Sequence, residues 1–140
     1  MKIREIELER EDMITLFSDG TFDSPLFVGF VGDDSEIKAF RTEEHEKYPS
    51  CCIEDIWVDW LLKGGKLYLD GNECDPEDED EYDEDLYGEF DLAKFNKGIN
   101  DALNDDEVKH HVTNLMNGDD DFYTGYCLLQ YIAYGEVILG

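Results

Sequence analysis

Apolar residues fall along the chain in short runs of two different periods, separated by turn-forming and acidic stretches. In EREDMITLF (9–17), Met13, Leu16 and Phe17 recur at three- and four-residue spacing, which predicts a short helix with one apolar face. SDGTFDS (18–24) reads as a turn. The run 26–31, closed by Gly32, predicts a strand, and EIKAF (36–40) alternates as if to pair with it in a hairpin. The clearest helix follows: Ser50 is its expected N-cap, Glu54 and Asp55 suit its first turn, and Gly64-Gly65 close it. Ile53, Ile56, Trp57, Trp60 and Leu61 give that helix a broad apolar face.

KLYLD (66–70) alternates as a strand, and LYGEF (86–90) is predicted to return beside it. Asp91 is placed to cap a helix in which Leu92, Phe95, Ile99, Ala102 and Leu103 face inward. DDEVKHHVTNLMNG (105–118) predicts another, capped by Asp105 or Asp106 and closed by Gly118. A last helix is expected within 119–135, with Phe122, Tyr126, Leu129 and Ala133 as core candidates, and EVIL (136–139) as a final strand. There is no internal repeat and no Pro- or Ser-rich linker. The pattern therefore predicts one small α+β domain over 1–140, with a few short strands and helices dominating the C-terminal half.

Charge changes this picture. The chain carries 37 Asp and Glu against 11 Lys and Arg, a formal net charge of -26, yet 41% of its residues are hydrophobic. A core is expected, and self-repulsion works against it. A compact chain of this length is roughly 37 Å across. The same length of duplex DNA carries about 22 charges. Such a surface repels nucleic acid and anionic membranes and attracts basic proteins or cations, so direct nucleic-acid binding is not expected. No signal peptide opens the chain, no apolar run approaches the length that spans a bilayer, and four cysteines without a secretory signal read as free thiols. A cytoplasmic location, in a host cell, is the expectation.

The acidity is uneven. Residues 73–91 hold twelve carboxylates and no basic side chain, in an internal loop between two predicted strands. Calcium is the first reading to test, and an EF-hand loop needs a Gly at its sixth position and a bidentate Glu at its twelfth. DEDEYDEDLYGE lacks the Gly, and NGDDDFYTGYCL lacks both. Zinc needs paired ligands, whereas Cys51-Cys52 and His110-His111 are adjacent and point apart on a helix. Neither a nucleophile elbow, a P-loop nor a dinucleotide fingerprint is present, and abundant carboxylates single out no acid–base pair. No enzyme activity, cofactor or dedicated metal is predicted.

What remains is carboxylates interleaved with aromatics. Carboxylates accept bidentate bonds from Arg as phosphates do, and aromatic faces stack with cations. The candidate contact surface is Glu73, Asp75, Glu77, Asp78, Glu79, Asp80, Glu81, Tyr82, Asp83, Glu84, Asp85, Tyr87, Glu89 and Asp91, with Asp119, Asp120 and Asp121 as a second patch. Asp78, Asp80, Asp83 and Asp85 serve in this reading as phosphate surrogates, and Tyr82 and Tyr87 stack on the partner. A solvated acidic coat is the simpler alternative.

The order WLLKGGKLYL, an acidic segment, DLAKFNKGINDAL and LLQYIAYGEVILG resembles small acidic phage and prophage proteins over about residues 55–140. By composition and size the chain also resembles the DNA-mimic inhibitors of host defence, the anti-restriction and anti-CRISPR proteins. The resemblance carries no catalytic residues. It implies an inhibitor that binds a basic nucleic-acid-binding protein, a CRISPR effector nuclease or restriction enzyme, by acidic mimicry of DNA. Charge gathered in one loop departs from mimics that spread it along their length, and suits a mimic of a few base pairs. Two other readings stand beside it: an immunity- or antitoxin-type protein plugging a basic toxin nuclease, and a structural phage protein binding divalent cations. A homodimer through the aromatic C-terminal helix is the self-association left open.

Overall fold

The computed structural model describes residues 5–72 and 82–140. Among these, six α-helices and one three-stranded antiparallel sheet make an α+β fold. The first helix, α1 (Arg10–Thr21), buries Met13, Leu16 and Phe17 as their spacing predicts. It also runs through the first residues of the predicted turn, because Gly20 meets Gly125 of the last helix. A Cβ on Gly125 would lie 2.6 Å from the Leu16 carbonyl oxygen. Two glycines let the backbones touch, and that packing outweighs the turn preference of Asp19-Gly20.

β1 (Phe27–Val31) follows. Residues 36–40 are not a strand. They lie in α2 (Asp34–Lys47), whose start is set by Asp33: its carboxylate accepts hydrogen bonds from the Ser35 and Glu36 amides. The letters that alternate as Glu-Ile-Lys-Ala-Phe also place Ile37 and Phe40 three apart, and both pack on the core from that spacing. α3 (Ile53–Lys63) buries Ile56, Trp57, Trp60 and Leu61. Its cap is Cys52 rather than Ser50, with the Asp55 carboxylate accepting from the Cys52 amide at 3.0 Å. Gly64, in the left-handed region at φ 107°, ends it as expected.

β2 (Lys66–Asp70) and β3 (Tyr87–Phe90) flank the acidic segment and pair antiparallel, giving the order β1-β2-β3. The last part of the predicted loop is therefore strand. α4 (Leu92–Leu103) is capped by Asp91, which accepts from the Lys94 amide at 2.9 Å. α5 (Lys109–Asn117) starts later than the Asp105-Asp106 pair predicts. The Asp105 carbonyl accepts from the Val108 and Lys109 amides, and its carboxylate accepts from the Glu107 amide and the Tyr131 hydroxyl, so this residue closes a turn ahead of the helix.

α6 (Phe122–Tyr134) is capped by Asp121 and touches α1, α4, α5 and β3. Cys127, Leu128, Leu129, Ile132 and Ala133 are all buried, so its apolar surface is used inside the domain. Phe122 is an exception to the predicted core, being 54% exposed. The expected final strand is absent. Instead the buried Gln130 accepts from the Ile138 and Leu139 amides and donates to the Leu139 carbonyl, so one side chain supplies the partners that a neighbouring strand would. The core centres on Phe17, whose ring lies 5.7 Å from Trp57, 6.2 Å from Phe90 and 6.0 Å from Phe95. Among the described residues no helix is long and apolar enough to cross a membrane.

Candidate partner-binding face

Strand parity sorts the sheet. Val28, Leu67, Leu69 and Phe90 face the core, and the residues between them face away. That outer face carries Phe27 and Gly29 from β1, Lys66, Tyr68 and Asp70 from β2, and Tyr87 and Glu89 from β3. Phe27, at 60% exposure, and Tyr87, at 37%, lie open to solvent. Tyr68 lies over Gly29, where any Cβ would run into its ring. The same ring stacks on Tyr87 at 5.4 Å and meets Phe27 at 6.1 Å. Three aromatic rings thus form a row across all three strands.

Carboxylates edge the row. The Tyr87 hydroxyl donates to Glu89 at 2.9 Å, and the Tyr82 hydroxyl donates to Asp70 at 3.3 Å. Burial, aided by the nearby carboxylates, raises the phenols of Tyr68 and Tyr87, the latter to about 12, so both keep their protons at neutral pH. Among these strand residues Lys66 is the one cation, 4.0 Å from Glu89.

The ends of the acidic segment are tied together beside this face. The Asp83 amide donates to the Asn72 side-chain oxygen at 2.8 Å, and the Asn72 side-chain nitrogen donates to the Asp83 carbonyl at 2.9 Å and to Asp70 at 2.8 Å. The Gly71 amide donates to the Leu86 carbonyl at 2.8 Å. The candidates Glu73, Asp75, Glu77, Asp78, Glu79, Asp80 and Glu81 lie outside the described residues. Asp83, Glu84 and Asp85 are exposed around a short 3-10 turn (Glu84–Leu86), where the Asp83 carboxylate accepts from the Asp85 amide. Asp91 is exposed as well, but its carboxylate is engaged as the α4 cap.

The second predicted patch sits at the other end of α6. Asp121 accepts from the Thr124 amide at 2.9 Å and the Thr124 hydroxyl at 3.1 Å, which holds its carboxyl below the usual range. Asp120 meets Asp19 of α1. Burial first, then Asp120 and Asp121, raise Asp19 to about 7. Its Oδ2 is buried and receives no hydrogen bond from a protein donor. Beside this pair Phe22 and Phe122 stack at 4.3 Å, both more than half exposed. Gly88 of β3 packs on Ala133, so the two patches are separated by the rise of α6 from Phe122 to Ala133, about 16 Å. Among the described residues the two patches do not form one site.

Other chemistry is quiet. Cys51 Sγ lies 3.6 Å from His45 Nδ1, but burial, Asp55 and Glu44 raise the thiol, the opposite of an activated nucleophile. His111 is buried against Thr124, and burial lowers its pKa. Among the described residues no three His, Cys, Asp or Glu side chains group as metal ligands. Sequence reasoning missed Phe27, Tyr68, Asp70 and Asn72. The position of Tyr68 between Lys66 and Asp70, on the polar side of an alternating strand, was the available signal. FVGFV in β1 has no alternation and left the side of Phe27 unreadable.

Comparison with protein-family models, with curated proteins and with solved structures finds no match to the chain.

Proposed function

We propose that the protein is a non-enzymatic inhibitor, of the kind phages and mobile elements use, that binds a basic nucleic-acid-binding protein in place of DNA. The target class is a nuclease of host defence, a CRISPR effector or a restriction enzyme, met in the host cytoplasm. One observation carries this reading: the open face of the sheet presents the row Phe27, Tyr68 and Tyr87, edged by Asp70 and Glu89 and joined to the segment that holds most of the acidic run. Guanidinium groups that grip phosphates can grip these carboxylates in the same bidentate way, and can stack on the rings. The ring spacing of 5.4 to 6.1 Å is wider than that of stacked bases, so the rings act as platforms for cations rather than as copies of bases. The carboxylates stand for the phosphates. With a net charge of -26 the same surface keeps nucleic acid itself away.

The test is competition. Tagged protein is exposed at low salt to nuclease-treated lysate of a host cell, and retained proteins are challenged with duplex DNA and assayed for DNA cleavage with and without the inhibitor. A retained nuclease that duplex DNA releases, and that the protein inhibits, is the expected result. A partner that stays bound against saturating duplex DNA would replace mimicry with an immunity-type plug. Retention with no effect on cleavage would remove the inhibitor reading altogether.

A further inference from the structure

Two side-chain oxygens among the described residues are buried and receive no hydrogen bond from a protein donor. Both belong to carboxyl groups, and each group faces a carboxyl group of another element. Glu44 of α2 faces Asp59 of α3, where Arg10 and Lys47 supply positive charge. Asp19, in the last turn of α1, faces Asp120, just ahead of α6. The charges that act on Asp19 are those of Asp120 and Asp121, both acidic. A buried acceptor without a donor calls for an explanation, and a proton between two carboxyl groups is the smallest one.

The backbone at Asp19 is pinned. Its neighbour Gly20 meets Gly125 of α6, and a Cβ on Gly125 would lie 2.7 Å from the Asp19 Cβ. The seam continues outward from this contact. Three residues beyond Asp19 and two beyond Asp120, the rings of Phe22 and Phe122 stack at 4.3 Å. Asp23 follows Phe22 at φ 46°, the one non-glycine residue in the left-handed region among the described residues. An L residue takes that conformation at a cost and keeps it only where its surroundings hold it.

We infer that this seam is a proton-operated latch: one proton held between Asp19 and Asp120 keeps the end of α1 on the start of α6, and its loss parts Phe22 from Phe122. In the closed state the O–H of one carboxyl donates to an oxygen of the other. In the open state two carboxylates repel. Burial and the acidic neighbours raise Asp19 to about 7, so the latch is closed in mild acid and opens as pH rises through neutrality. The other titratable groups of the seam do not reproduce this. Asp121 caps α6 with its carboxyl lowered, and is ionised throughout. Tyr123 and the Cys127 thiol bonded to it are both raised and stay neutral at pH 7. His111 of α5, reached through Thr124, is lowered by burial and by His110, and so loses its charge in more acid solution than the latch opens. Opening bares the inner faces of two phenyl rings whose sequence neighbours Asp23 and Asp121 are exposed.

The experiment is a pH titration of the full-length protein by NMR, from about pH 5 to about pH 8.5, a range that brackets the expected midpoint. It follows the side-chain carboxyl carbon of Asp19 and the ring-to-ring contacts of Phe22 and Phe122. The carboxyl is expected to titrate near 7, and the ring contacts to fade with the same midpoint. In Asp120→Asn the midpoint should fall by about one pH unit or more, because the like charge is gone. Asp19→Asn keeps the shape and brings its own donor, and should hold the rings together at every pH. An Asp19 carboxyl already ionised at the acid end, as an ordinary aspartate of pKa about 3.9 is, would overturn the shared proton. Ring contacts that persist while Asp19 titrates would overturn the latch. Rings that still part with pH in Asp19→Asn would assign the movement to another group, His111 first, and overturn it equally. The carboxyl and ring readings are made on the unaltered chain, so they stand whether or not a variant folds.

Discussion

The two faces of the sheet are built from the same three strands and differ in almost every property. Leu67 and Leu69 on the inner face are fully buried, and Phe90 beside them is 1% exposed, whereas Lys66, Tyr68 and Asp70 alternate with those leucines and look outward. Inward residues meet α1 and α6; outward residues meet solvent, each other and the anchored ends of the acidic segment. Period-two alternation has separated a packed side from a solvent-facing side within single strands. The inner face of the sheet is free of charge, which is compatible with a core in a chain of net charge -26.

The comparison can be broken in several ways. The largest effect is expected inside: Phe90→Ala should cost about 3–5 kcal/mol, read as a lower midpoint in urea unfolding. Outside, Tyr68→Ala combined with Tyr87→Ala should leave stability within about 1 kcal/mol while weakening the basic partner by about 2 kcal/mol or more, roughly thirtyfold. If that double variant melts like Phe90→Ala, the two faces are not separable. Converting Asp78, Asp80, Asp83 and Asp85 to Asn should weaken the partner further and flatten the slope of log affinity against log salt, with the fold unchanged. A steep slope retained in that variant would move the contact away from the acidic segment.

Smaller effects sharpen the comparison. Asn72→Ala removes the hydrogen bonds to Asp70 and Asp83 and should cost about 1–2 kcal/mol, with hydrogen exchange rising at Asp83 before it rises in the core. The pH response should come from the other end of α6. Asp19 holds its proton more tightly in the folded chain, up to about 7, than an unfolded aspartate does. Its contribution is therefore fully present below the unfolded value near 3.9 and lost as pH rises through about 7. The lowered carboxyls of Asp33, Asp59 and Asp121 are ionised throughout that upper range and add no slope there. Melting temperature should fall from about pH 6.5 to pH 8, above the window in which the lowered His111 acts in the opposite direction, and Asp19→Asn should flatten the fall.

Much of this was legible wherever one local rule acted alone. Met13, Leu16 and Phe17 marked α1, KLYLD marked β2 by alternation, and Asp91 and Gly64 marked a helix start and a helix end as their chemistry requires. Two of the failures share a cause: a local signal was overruled by a contact distant in sequence or by a neighbouring helix. Asp19-Gly20 looks like a turn until Gly125 is laid against it. Residues 136–139 look like a strand until Gln130 takes their amides. Of the candidate face, its acidity and the positions of Tyr82 and Tyr87 were readable. The row that Tyr87 helps to build was not, because it depends on a register that pairs Gly29 with Tyr68 and so lets the Tyr68 ring lie over the Gly29 backbone.

Asn72 and Asp83 also make the acidic segment modular. Ten residues lie between them in the sequence, and a pair of hydrogen bonds joins the two ends. Closing a loop twice as long costs only about 0.6 kcal/mol more. The number of carboxylates on offer is therefore a dose that loop closure lets rise or fall at small entropic cost.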